Sequence, residues 1–176
     1  MKVTRVWIVV AVLSLIAATA QAKSHVMKAQ AELKDASGNK VGTATLTEQK
    51  KGVKVVLKVK GLTPGKHGFH IHETGSCTPP DFKSAGGHFN PFHKHHGMES
   101  PEGKHAGDFA NLEVKKDGTA RMTVLAEGAT LKEGPASLLK EGGTALVIHA
   151  DPDDYKTDPA GNAGARIACG VIEKKK

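Results

Sequence analysis

The sequence predicts an all-β domain, an eight-stranded antiparallel Greek-key β-barrel or flattened sandwich interrupted by two long functional loops. Three observations carry this. Val53, Val55, Leu57 and Val59 alternate with Lys54, Lys58 and Lys60, the period of two that marks a strand with one buried face. Short runs of similar character recur along the chain, separated by residues that favour turns. No segment shows a strong helical period.

The elements follow in order. Strands are expected at 25–34, 41–49 and 53–59, punctuated by Ser37-Gly38-Asn39 and Lys51-Gly52. Pro64-Gly65 precedes a fourth at 67–73. The fifth and sixth, 109–116 and 119–126, flank Asp117-Gly118, and the last two are expected at 144–150 and 166–173. Residues 74–108 and 150–165 lack the pattern. Loops this long in a compact domain are usually functional, and the first holds five of the ten histidines. All five phenylalanines fall between Phe69 and Phe109, where they are expected to pack beneath that loop.

Composition narrows the class. With 39% hydrophobic and 24% charged residues among 176, the chain can bury an ordinary core, which disfavours disorder and a multi-pass membrane protein. The N-terminus is a secretory signal: Lys2 and Arg5, an apolar run from Val6 to Ala18, then Ala20-Gln21-Ala22 as a cleavage site. That run is too short for a membrane anchor. The chain therefore divides into a leader, 1–22, and a single domain, 23–176. Losing Lys2 and Arg5 lowers the formal charge from +7 to +5. A body this mildly basic argues against a nucleic-acid partner. Export also fits Cys77 and Cys169 as one disulfide.

Histidine is the outlier, with nine of ten between His67 and His149. In Gly68-Phe69-His70-Ile71-His72-Glu73, residues two apart project to the same side, so His70 and His72 present two imidazoles together while Ile71 points to the core. His88, His96, His105 and Asp108 form a three-imidazole, one-carboxylate set suited to a closed zinc site. His149 ends the apolar run Ala145-Leu146-Val147-Ile148; with His70, His72 and one loop histidine it would complete an all-nitrogen site suited to copper. His93 and His95 crowd the same loop, and either could replace His96.

These residues resemble the copper–zinc superoxide dismutases in their exported bacterial form. The segments that carry the resemblance are residues 68–73, Gly87-His88-Phe89-Asn90-Pro91, Lys104-His105-Ala106-Gly107-Asp108 and residues 161–170, and it spans about Val26 to Ile172. It implies one copper ion on His70, His72, His88 and His149, and one zinc ion on His88, His96, His105 and Asp108, with His88 bridging. Asp153 is implied as the carboxylate that orients one histidine of each set. Arg166 is implied as the cation beside copper, and Cys77–Cys169 as the clip on the long loop. The implied reaction converts superoxide to oxygen and hydrogen peroxide in the periplasm or outside the cell, protecting the envelope, with no membrane anchor after cleavage and a monomer or homodimer as the assembly. Lys83, Lys104 and Lys156 are candidates for attracting the anion. His25 and His67 match no role. The alternative is a non-catalytic copper-handling protein on the same fold, which loss of His88, Arg166 or a copper ligand would favour; none is lost.

Overall fold

The computed structural model describes residues 26–175, so the expected leader, 1–22, and His25 lie outside the described residues. The chain forms strands β1 (Lys28–Asp35), β2 (Lys40–Gln49), β3 (Gly52–Val59), β4 (Gly65–His67), β5 (Phe69–His72), β6 (Leu112–Val114), β7 (Ala120–Glu127), β8 (Ala145–His149), β9 (Arg166–Val171) and β10 (Glu173–Lys174). All named pairings are antiparallel. The main sheet runs β5-β8-β9-β1-β2-β3-β7, with β10 on β1, and β4 pairs with β6 in a small second sheet. Consecutive hairpins β1-β2-β3 and the long returns to β7 and β8 are the expected all-β topology.

The periodicity is realised directly. In β3, Val53, Val55 and Leu57 are fully buried while Lys54 and Lys58 face solvent. They join Leu33, Leu46, Phe69, Ile71, Leu146 and Ile148 in one core. Each fully buried aliphatic side chain contributes roughly 1.5–3 kcal/mol relative to leaving it in water. Four of the five phenylalanines are buried; Phe92 is 47% exposed, because it sits on the loop surface against Gly128.

Two predicted strands divide. The run at 67–73 breaks at Gly68, whose N–H donates to Asp151 O (2.8 Å) and whose carbonyl accepts from His149 N (2.9 Å). The chain there leaves β6 and joins β8, passing from one sheet to the other. The run at 166–173 breaks at Ile172, which donates to Thr144 O (2.9 Å).

β8 is buried on both faces, which explains its unbroken apolar run. Leu146 and Ile148 enter the core, whereas Ala145 and Val147 pack under the first long loop with Phe82, Ala85 and Cys169. The Cys77–Cys169 disulfide (Cα–Cα 5.6 Å) ties that loop to β9. The two long loops therefore lie over the outer face of β5, β8 and β9.

A third long connection, residues 128–144, was not singled out by the sequence. It places Leu131 and Leu138 in the core and is held by Glu48 of β2, which accepts from Thr130 Oγ1 (2.8 Å) and Leu131 N (2.6 Å). Replacing Glu48 with Ala strands the partly buried Leu131 N–H and is expected to cost about 1–3 kcal/mol in urea unfolding. Glu48→Gln, which keeps an acceptor, should cost less.

Candidate metal centre

Strand parity sets the first pair. In β5, Ile71 pairs with Leu146 on the core side, and His70 and His72 pair with Val147 and Ala145 on the outer side. His149 continues the outer row of β8, opposite Arg166 of β9. Ile71 then fastens the loop: its N–H donates to Gly107 O (2.9 Å) and its carbonyl accepts from Phe89 N (2.8 Å). These bonds place His88 beside His72 and Asp108 beside His70. Gly107 is required there, because a Cβ would stand 2.4 Å from Ile71 O.

Two groups of donor atoms result, each within a 4.8 Å sphere of mutual distances: His70, His72, His88 and His149, and His88, His96, His105 and Asp108. His88 belongs to both. All seven residues are buried. In the first group the far nitrogens are tied down: His72 Nδ1 donates to Gly86 O (2.9 Å), His149 Nδ1 to Gly164 O (3.2 Å), and His70 Nε2 to Asp153 Oδ2 (2.6 Å). That leaves His72 Nε2 and His149 Nε2 3.4 Å apart, and His70 Nδ1 and His88 Nε2 buried without a protein partner. In the second group the nitrogens converge on Asp108: His88 Nδ1 lies 2.8 Å and His105 Nδ1 3.3 Å from Oδ1, and His96 Nδ1 3.2 Å from Oδ2.

Asp153 joins the groups, accepting from His70 through Oδ2 and from His96 Nε2 through Oδ1 (3.1 Å). Asn111, absent from the sequence reading, clamps it: Nδ2 donates to Asp153 O (2.9 Å) and Oδ1 accepts from Asp153 N (2.8 Å). Asp158, a carboxylate of the second long loop to which the sequence gives no specific role, accepts the His96 N–H (2.5 Å). Only pairing across the second loop reveals either residue. Arg166 donates from Nη1 to Phe82 O and from Nη2 to Gly86 O, both at 2.7 Å. Gly86 O thus serves both Arg166 and His72.

Burial, reinforced by neighbouring imidazoles, pushes His72 down to about 2 and His149 to about 3, and burial lowers His88 to about 4 against the pull of Asp108. Their lone pairs are therefore free at neutral pH. Burial also works against protonating His96, yet Asp108 and Asp153 prevail and raise it to about 9. Burial alone would raise the Asp108 and Asp153 carboxyls; hydrogen bonds from the histidines hold both below the ordinary range instead.

The remaining candidates fall elsewhere. His93 is exposed, and His95 is exposed with Nδ1 2.7 Å from Asp158 Oδ2; neither enters a donor group. His67 is buried between His149 O and Thr63 O, each 2.8 Å away. Glu73 accepts from Gly87 N (3.0 Å), holding the loop. Of the three lysines considered for attracting an anion, Lys104 donates to Asp108 O (2.6 Å), while Lys83 and Lys156 pair with Asp81 and Glu99. Arg166 is the cation beside the first donor group. Unpartnered buried nitrogens, four imidazoles in one group and three imidazoles with a carboxylate in the other, fit a copper and a zinc ion respectively.

Comparison with known proteins agrees with this chemistry. Residues 40–172 match the family Copper/zinc superoxide dismutase. The chain is 57% identical over 151 residues to superoxide dismutase [Cu-Zn] 2 of Aquifex aeolicus (strain VF5), covering 85% of this chain and 88% of the relative. Among solved structures it resembles a double mutant of a SOD-like protein from Bacillus subtilis (TM-score 0.78, 46% identity, 81% of this chain and 95% of that one). It also resembles the Cu/Zn superoxide dismutase from Brucella abortus (TM-score 0.69, 33% identity, 83% and 99%).

Outer carboxylates that orient metal-binding histidines are typically worth 10–100-fold in metal affinity. Asp153→Leu should therefore weaken binding of both ions by about that factor in chelator competition, and Asn111→Ala should act in the same direction by a smaller amount.

Proposed function

The chain belongs to the copper/zinc superoxide dismutase family, and on that premise we propose how its own residues divide the work of dismuting superoxide to oxygen and hydrogen peroxide. His70, His72, His88 and His149 hold copper, and His88, His96, His105 and Asp108 hold zinc. Copper, when bound, supplies one-electron redox chemistry and zinc a fixed positive charge. The observation that carries the assignment is the double membership of His88, whose Nδ1 meets the zinc carboxylate while its buried Nε2 has no protein partner.

His88 Nε2 is the atom at which the chain takes up and returns a proton beside the substrate. Arg166 binds the anion: two of its donors are fixed on Phe82 O and Gly86 O, which holds the fork rigid and leaves other N–H groups for superoxide. Asp153 keeps His70 and His96 oriented. The disulfide fixes the loop that carries Phe82 and Gly86, and its presence supports an oxidising compartment. With the apolar leader and cleavage pattern, this supports removal of residues 1–22, a domain over 23–176 located in the periplasm or outside the cell, and protection of the envelope from superoxide. The assembly is a monomer or a homodimer, which sedimentation of the mature chain distinguishes.

The competing reading is a non-catalytic copper-handling protein on the same fold. Both ions bound without acceleration of superoxide loss would favour it. His88→Ala should disrupt both sites and abolish activity, whereas His93→Ala should stay close to wild type; equal losses would overturn the ligand assignment. Arg166→Gln should lower kcat/KM by roughly tenfold or more and flatten its dependence on ionic strength, with Arg166→Lys intermediate.

A further inference from the structure

Separated from β8 by β9, β1 and β2 in the order of the sheet, the outward row of β3 carries Lys54 and Lys58. Lys50 and Lys51 extend the row through the β2–β3 turn and Lys60 extends it past the strand end; all are exposed. Across the ladder, Lys58 stands directly opposite Arg121 of β7, and Lys54 opposite Leu125. Like charges directly opposed on neighbouring strands destabilise a sheet. One acid lies in the facing row of β7, Glu127, opposite Gly52 at the Lys51 end and six residues from Arg121; Glu32 of β1 is engaged by Lys40 at 2.6 Å. None of Lys50, Lys51, Lys54, Lys58, Lys60 and Arg121 forms an ion pair among the described residues.

Two shallow grooves follow the same row. One, of about 530 Å³, is lined by Gln49, Lys50, Lys51, Lys54, Thr123 and Leu125; the other, of about 250 Å³, by Lys40, Thr43, Lys58 and Lys60 among others. From Lys51 to Lys60 the row spans about 30 Å of extended chain. From this unrelieved stripe we infer that the β3–β7 face docks a linear phosphate polymer, with the ammonium groups and the Arg121 fork spaced along its backbone. A single line of cations suits a chain rather than a plane: on the same sheet Glu32 of β1, two strands from β3, and Glu173 of β10, paired to β1, put acids to one side of it. The dismutase site takes no part, so docking and activity are separable.

The test titrates the mature, metal-loaded chain with inorganic polyphosphate at several salt concentrations, beside orthophosphate and phosphatidylglycerol vesicles. Wild type should bind polyphosphate with affinity that falls steeply with salt and should not bind orthophosphate measurably. The pair Lys54→Glu and Lys58→Glu should weaken binding at least tenfold and keep the dismutation rate within twofold of wild type. The pair Lys174→Glu and Lys175→Glu, an equal change of charge on β10 and its tail, should lose less than threefold. If the first pair does not fold, Lys51→Gln with Arg121→Gln asks the same question with smaller changes. Equal losses in the stripe and tail pairs would reduce the effect to net charge and overturn the assignment. Absence of polyphosphate binding, or preference for the vesicles, would overturn it too.

Discussion

Everything in this molecule turns on burying a crowd of imidazoles on the outer face of β5 and β8. A buried histidine that must hold a proton needs a carboxylate; one that has none must stay neutral. The two halves of the cluster take the two solutions. His72 and His149 lie among other imidazoles with their far nitrogens on carbonyls, and burial keeps them neutral. His96 sits between Asp108 and Asp153 and is pulled the other way. His88 stands between the two regimes, with one nitrogen on Asp108 and one unpartnered. One side chain thereby belongs to both donor groups.

The loops that complete the cluster are long, and ordering them costs conformational entropy. The fold offsets this at specific points. Ile71 presents its side chain to the core while its backbone N–H and carbonyl bind Gly107 and Phe89, so one residue of β5 anchors both the barrel and the metal loop. The disulfide closes the opposite side of the same loop onto β9. Between these anchors Gly86 O meets His72 and Arg166 together, which couples the position of that imidazole to that of the cation beside it. Asn111 and Asp158 bind the second loop back to the first, and Asp153 inherits its position from that pairing.

Distribution of charge completes the picture. Several lysines near the centre are spent on structure: Lys104 holds the Asp108 carbonyl, and Lys156 holds Glu99. Cations without an ion pair among the described residues gather instead on β3 and β7, where Lys54 stands between Thr47 and Leu125 and Lys58 between Thr43 and Arg121. A chain of modest net charge can thus carry one locally strong field, and the average hides it.

Much of this was legible in the residues. Alternation in β3 gave a buried face, the His-x-His of β5 gave two imidazoles on one side, and the loop spacing gave a zinc-type set, because period and ligand chemistry are local properties of the chain. Family resemblance extended these to the bridge, Asp153 and Arg166. Three things waited for the tertiary structure. Gly68 divides a strand because its backbone bonds go to Asp151 and His149, far away in sequence. Residues 128–144 form a long plug held by Glu48, which no local pattern marks. Asn111 and Asp158 matter only through bonds across two loops. Sequence by itself determined which side chains face together along each strand and which donors the loops supply; the choice of His96 over His93 and His95, and the partners that fix each ring, came from long-range contacts that only the folded sheet and its loops create.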